Sequence, residues 1–291
     1  MPEFLEPAFM QRALFAAVLV GLTAPSVGVY LVQRRMALMG DGIGHVALTG
    51  VALGVLLGWA PVLTAVVVAA LGAVAIELIR ERGRTSGDVA LAMLFYGGIA
   101  GGVLLIGLAP GGSNASLVSY LFGSITTVAP GDLLTIAVLA VLVLLVTLGL
   151  ARQLFAVCQD EEFARVAGLP VRWLNILLAV TAAVTVTVAM RVVGVLLVSA
   201  LMVVPVATAQ QLTRGFRTTV AAALLLGVCY AIAGVVFSYY ADVASGASIV
   251  VLAIGGFLLA ATSGALVRNR RRLAGPGVLH GAAEDDVAVH P

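Results

Sequence analysis

The chain has 291 residues, 62% of them hydrophobic and only 10% charged, with a formal net charge of +2 and a mean hydropathy of +1.14. A soluble domain of this size carries roughly 25% charged residues, so the composition excludes a soluble enzyme or nucleic-acid-binding module. It points to an all-α, polytopic membrane bundle. The length has room for roughly nine or ten spans, and the segments themselves divide into about eight to nine, with no soluble domain between them.

The N-terminus carries Glu3 and Glu6 and no cationic start, which argues against a cleaved signal peptide. Residues 1–12 are expected to be extracytoplasmic, with the first span serving as the insertion signal. That span runs from about Ala13 to Val32, includes Pro25 and stops at Arg34-Arg35. Membrane helices tolerate such a proline when neighbours re-satisfy the backbone. The second span ends near Gly58-Trp59-Ala60-Pro61. The third reaches from about Val62 to Ile79 and stops at Arg80, Arg82 and Arg84. Thr85-Ser86-Gly87-Asp88 reads as a capped start to the fourth, which reaches about Leu108.

Residues 110–130 break the pattern. The apolar piece Leu117–Phe122 is too short to cross a bilayer and fits a re-entrant or interfacial helix. A fifth span, about Leu133–Leu150, precedes the polar stretch Gln159–Arg172. The sixth (about Leu174–Met190) and seventh (Val192 to about Val204) follow closely. The seventh runs into Pro205–Gln211 and then Arg214 and Arg217. The eighth, about Thr219–Phe237, leads to a polar loop at Tyr239–Ser245. The ninth, about Ser248–Val267, stops at Arg268, Arg270, Arg271 and Arg272. The membrane domain is thus 13–267, and 268–291 reads as a disordered cytoplasmic tail.

All 16 basic side chains are arginine, which we read as a bias of genomic base composition. Their placement carries the information. With Arg34 and Arg35 in the cytoplasm, alternation puts every arginine but Arg12 and Arg191 on that side, a positive-inside pattern with the N-terminus outside and the C-terminus inside. Cys158 and Cys229 lie far apart and form no CxxC pair, so no disulfide framework or thiolate metal site is indicated.

Few polar side chains interrupt the spans. Glu77 and Arg80, three apart, suit an interfacial ion pair; Asp88 suits a helix start; Met190 and Met202 suit core or lipid contact; His280 and His290 fall in the tail. Asp41 and His45 are different. At i and i+4 on a helix, a carboxylate and an imidazole share one face, and Thr49 extends it. Ionisable groups at membrane depth are costly and mark pathways. An Asp–His hydrogen bond between helices and ligation of a passing cation both fit this pair. Gly40, Gly42 and Gly44 around Asp41 allow either local unwinding or close backbone approach. Gly50/Gly54/Gly58, Gly97/Gly101 and Gly98/Gly102 form small-xxx-small faces for helix packing.

The stretch Met39–Gly54 resembles the GD-x-x-x-H-x-x-L-x-G-V-A motif of the zinc/manganese ABC transporter permeases. Three later stretches are also similar to that family: Tyr120–Gly123 with Pro130 and Asp132, Val193–Ala209, and Phe237–Asp242 with Gly246–Ser248. The resemblance covers most of residues 10–267. It implies a bundle like that of type II ABC importers and the bacterial inner-membrane permease subunit of an importer. It also implies two paired permeases (a homodimer where identical), two cytosolic ATPases that hydrolyse ATP in its place, and an extracellular or periplasmic metal-binding protein. The family's metal ligands map onto Asp41 and His45. Its ATPase contact maps near Pro205–Arg217, with Pro205, Gln210, Gln211 and Arg214, and beside it Asp160–Gly168, with Glu162 and Gly168.

A symmetric pair of chains would offer two aspartates and two histidines, enough to close about four coordination positions. No cofactor is expected to stay bound; the metal is cargo. Imidazole and carboxylate suit Zn2+, the metal we expect, and remain compatible with Mn2+ or Fe2+. An ion-coupled secondary transporter would need polar groups on several spans. An intramembrane metalloenzyme would need more ligands than one Asp–His pair, and HExxH is absent.

Overall fold

The computed structural model describes residues 7–81, 87–109, 121, 123, 130–190 and 193–273. Asn114, the short Leu117–Phe122 piece except Leu121, and the tail beyond Leu273 lie outside these residues. Among the described residues the chain is helical, with no strand. Its helices are α1 (Ala8–Gln33), α2 (Met39–Leu57), α3 (Pro61–Glu81), α4 (Gly87–Leu108), α5 (Pro130–Gly149), α6 (Ala151–Gln159), α7 (Glu161–Val166), α8 (Val171–Ala189), α9 (Val195–Leu212), α10 (Phe216–Ala241) and α11 (Ser245–Leu273).

Local chemistry sets the boundaries. Gly58, with φ of +67°, closes α2 in the left-handed region that glycine adopts freely. Pro61 then opens α3 at the first helical position, where its missing N–H is no loss. Asp160 caps α7, its carboxylate accepting from the Phe163 N–H at 2.9 Å. Pro25 sits inside α1 and cannot donate to the Gly21 carbonyl. A Cβ at Gly21 would come within 2.8 Å of the Gly227 carbonyl oxygen, so α1 and α10 cross at a pair of glycines. Without a hydrophobic force between helices in lipid, such close approach is what holds them together.

Among the described residues, seven helices are long and apolar enough to cross a membrane; α5 and α6 form a further pair bent by 63°, and α9 is a shorter apolar helix. The most enclosed are α1, α2 and α8, whereas α3, α4, α5, α10 and α11 each turn an apolar face outward. Leu63, Val67 and Leu71 form that face on α3, and Leu134, Val138, Val141 and Leu145 form it on α5. These are the surfaces a bilayer would cover.

Several expected boundaries move. Helix α1 starts at Ala8, and α11 continues to Leu273, past the expected end at Val267. Gln159–Arg172 forms α7 and the start of α8 around a turn at Gly168 (φ +81°). The expected break at Pro205–Gln211 is helical: α9 passes through Pro205 and ends at Leu212, leaving Thr213–Gly215 as the link. A proline inside a membrane helix costs one backbone bond, which the packed neighbours of α9 tolerate.

One end of the bundle gathers the charges. Arg34 at the end of α1 pairs with Glu161 of α7 at 3.2 Å, and Arg172 of α8 pairs with Glu81 of α3 at 3.1 Å. The expected Glu77–Arg80 pair forms at 2.6 Å, with Arg80 also reaching the Met36 sulfur at 3.6 Å. Tyr30 donates to the Thr147 carbonyl at 2.7 Å, and Phe216 at the start of α10 lies against Phe155 of α6 at 4.2 Å. The ends of α1, α3 and α5 and the starts of α8 and α10 therefore meet at this basic end.

Candidate functional site

Asp41 and His45 lie one turn apart on α2, which is helical throughout. The unwinding considered for Gly40–Gly44 does not occur. Each glycine instead admits a neighbour: a Cβ at Gly40 would sit 3.2 Å from Met202 Sδ, one at Gly42 2.8 Å from Leu91 Cδ1, and one at Gly44 3.0 Å from Val195 Cγ1. Helix α2 is thus clasped by α4 on one side and α9 on the other.

His45 is at mid-depth. A Cβ on Gly98, near the middle of α4, would come within 2.7 Å of the His45 carbonyl carbon. The next residue, Val46, faces Gly72 near the middle of α3. His45 is only 3% exposed, and its ring meets Phe95 edge-on at a centroid distance of 4.3 Å. Among the described residues, its Nδ1 is buried without a hydrogen-bond partner. Such an atom ordinarily costs about 1–3 kcal/mol, so it marks a place where a ligand would be welcome.

Asp41, one turn nearer the basic end, is half-buried. It lines a pocket of about 220 Å³ between α2 and α4 with Leu38, Leu91, Ala92, Phe95 and Tyr96. Its Oδ1 accepts a hydrogen bond at 3.2 Å from Ser199 Oγ of α9. Thr49 does not continue the site: its hydroxyl donates to the Gly98 carbonyl at 2.6 Å and ties α2 to α4. Among the described residues no three His, Cys, Asp or Glu side chains converge. One chain therefore presents two potential metal donors one turn apart, a carboxylate that lines a pocket and an enclosed imidazole.

The second group of expected residues lies apart from this pair. Gln210 and Gln211 are exposed in the last turn of α9, Arg214 is exposed in the α9–α10 link, and Pro205 is enclosed within α9. Glu162 is exposed in the first turn of α7, and Gly168 follows that helix. Both groups are at the basic end, joined through Phe155 and Phe216. Sequence reading passed over two residues of α7 itself. Phe163 is 69% exposed and Val166 88% exposed, although polar residues surround them. It also passed over Ser199, whose partner lies 158 positions away.

The chain resembles known proteins along nearly its whole length. A family model described as the ABC 3 transport family matches residues 6–264. The manganese transport system membrane protein MntC of Halalkalibacterium halodurans is 35% identical over 258 residues, 89% of this chain and 88% of that protein. The high-affinity zinc uptake system membrane protein ZnuB of Haemophilus influenzae is 31% identical over 255 residues, 86% of this chain and 97% of that protein. Among solved structures, a chain of PsaBC from Streptococcus pneumoniae in complex with Fab superposes with a TM-score of 0.80 at 32% identity. The match covers 88% of this chain and 91% of that one.

Proposed function

The chain belongs to the ABC 3 transport family, and on that footing we propose that it is the membrane-spanning permease subunit of an ATP-driven importer of divalent transition metal ions. The observation that carries the reading is His45, a mid-depth histidine whose Nδ1 has no partner among the described residues, one turn from a half-buried carboxylate. Asp41 and His45 ligate the ion in transit, and a second copy of the chain supplies the other two ligands. The chain itself hydrolyses nothing: ATP is consumed by two cytosolic ATPase subunits, and an extracytoplasmic protein delivers the metal. It resides in the bacterial cytoplasmic membrane, with the basic end inside, the N-terminus outside and the C-terminus inside. Residues 13–267 make up the permease domain.

Zn2+ suits imidazole and carboxylate in a four-coordinate site. Mn2+ is the second reading, favoured by the Asp41 carboxylate and by the manganese relative. The ATPase docks on α7 and the end of α9. Phe163 and Val166 supply exposed apolar contact beside Glu162 and Gly168, and Gln210, Gln211 and Arg214 supply exposed polar groups at the same end of the bundle. The test is uptake by the assembled transporter in liposomes, with Zn2+ and Mn2+ offered singly and in competition, with and without ATP. ATP-dependent accumulation of either metal is expected. Accumulation driven by an ion gradient in the absence of ATP would establish a secondary transporter instead.

A further inference from the structure

A carboxylate that binds a passing ion needs a defined orientation, and in Asp41 two rotatable bonds separate the charge from the backbone. The structure supplies one restraint. Ser199 Oγ donates to Asp41 Oδ1 at 3.2 Å, and among the described residues it is the donor this carboxylate has. A serine within a helix commonly bonds back to its own preceding turn. Thr208 on the same helix does so, donating to the Val204 carbonyl at 2.8 Å. Ser199 instead directs its hydroxyl across to α2.

That reach depends on the glycine face of α2. A Cβ at Gly40 would stand 3.5 Å from Ser199 Cβ and 3.2 Å from Met202 Sδ, so a larger residue would move α9 away from Asp41. The two ligands are therefore set from different helices: Phe95 of α4 holds the His45 ring, and Ser199 of α9 holds the Asp41 carboxylate. Oδ1 accepts the hydroxyl, and among the described residues Oδ2 and His45 Nδ1 have no hydrogen-bond partner. Partners of this kind orient ligands and are worth roughly 10- to 100-fold in metal affinity.

We infer that Ser199 is a positioning residue for metal transit, fixing the Asp41 carboxylate through its hydroxyl; this rests on the assignment of Asp41 and His45 as the transit ligands. The experiment measures equilibrium binding of Zn2+ and of Mn2+ to the assembled transporter in detergent, with melting temperature on the same preparations. Ser199→Ala should weaken binding by roughly 10- to 100-fold with an unchanged melting temperature, and Ser199→Thr, which keeps the hydroxyl, should restore it. Unchanged binding in Ser199→Ala would overturn the inference. So would a loss that Ser199→Thr does not repair, or one accompanied by a lower melting temperature, since both indicate packing. Asp41→Asn separates the two levels. If it too binds metal normally, the transit-site assignment fails. If it loses binding while Ser199→Ala does not, the role of Ser199 alone fails.

Discussion

Asp41 and His45 share a face of α2 but have different surroundings. The carboxylate is half-buried and holds a hydrogen bond from another helix, whereas the imidazole is enclosed, braced by an aromatic ring and, among the described residues, without a partner at Nδ1. If the pair served to join helices, each group would be bonded across an interface, and removing it would cost about 1–3 kcal/mol. Asp41→Asn preserves shape and an oxygen for Ser199, and His45→Gln breaks no hydrogen bond at Nδ1. We therefore expect both variants to keep the wild-type melting temperature and to lose most metal uptake per assembled complex. Normal uptake with lowered stability would reassign the pair to structure. The spacing made the pair readable in the sequence, because i and i+4 positions meet on any helix. The same rule misplaced Thr49, since periodicity gives the face of a side chain and not the neighbour awaiting it; the Gly98 carbonyl takes up that hydroxyl. Ser199 left no sequence signal, because nothing local predicts contact across 158 positions.

At the level of elements, the glycines sort into kinds that spacing alone does not distinguish. Gly98, Gly101 and Gly102 face α2, while Gly97 has nothing within 4 Å of where a Cβ would stand. Gly98→Ala would push a methyl group to 2.7 Å from the Val46 nitrogen and force α4 off α2. A cost of about 1–3 kcal/mol is expected, as for other overpacked sites, read as a lower melting temperature in detergent. Gly97→Ala should be neutral or slightly stabilising, since alanine favours helix. Equal effects at the two positions would mean that α2 and α4 do not pack as described. Span order and the Glu77–Arg80 pair were accessible from hydropathy and spacing. The course of α9 was not, because Pro205 and the polar residues after it look like a helix end in isolation. The exposed apolar pair on α7 leads to a further expectation. Phe163→Ser with Val166→Ser should release the ATPase from the detergent-solubilised complex without lowering the melting temperature of the permease. Retained ATPase, with release only on joint replacement of Gln210, Gln211 and Arg214, would move the contact to the end of α9.

For the molecule as a whole, the arginine pattern has a physical counterpart. Arg34, Arg80, Arg165 and Arg172, from four separate segments, come to one end and pair there with Glu161, Glu77 and Glu81. With Asn175 and Trp173, several of these residues line a cleft of about 640 Å³. Lipid tails would not solvate such a cluster, so this end lies at or beyond a membrane surface. At the other end the α2–α3 turn presents Trp59, a residue suited to the interface by its amphipathic ring. The proposal that the basic end faces the cytoplasm rests on the positive-inside preference and can be tested directly. Cys158 and Cys229 are free thiols, and replacing both by serine gives a silent background. In intact cells a membrane-impermeant thiol reagent should then label Trp59→Cys and leave Val166→Cys untouched until the membrane is permeabilised. The reverse result would invert the molecule. It would put α7 on the side of the delivered metal, out of reach of any cytosolic ATPase, and so remove the proposed docking surface along with the topology.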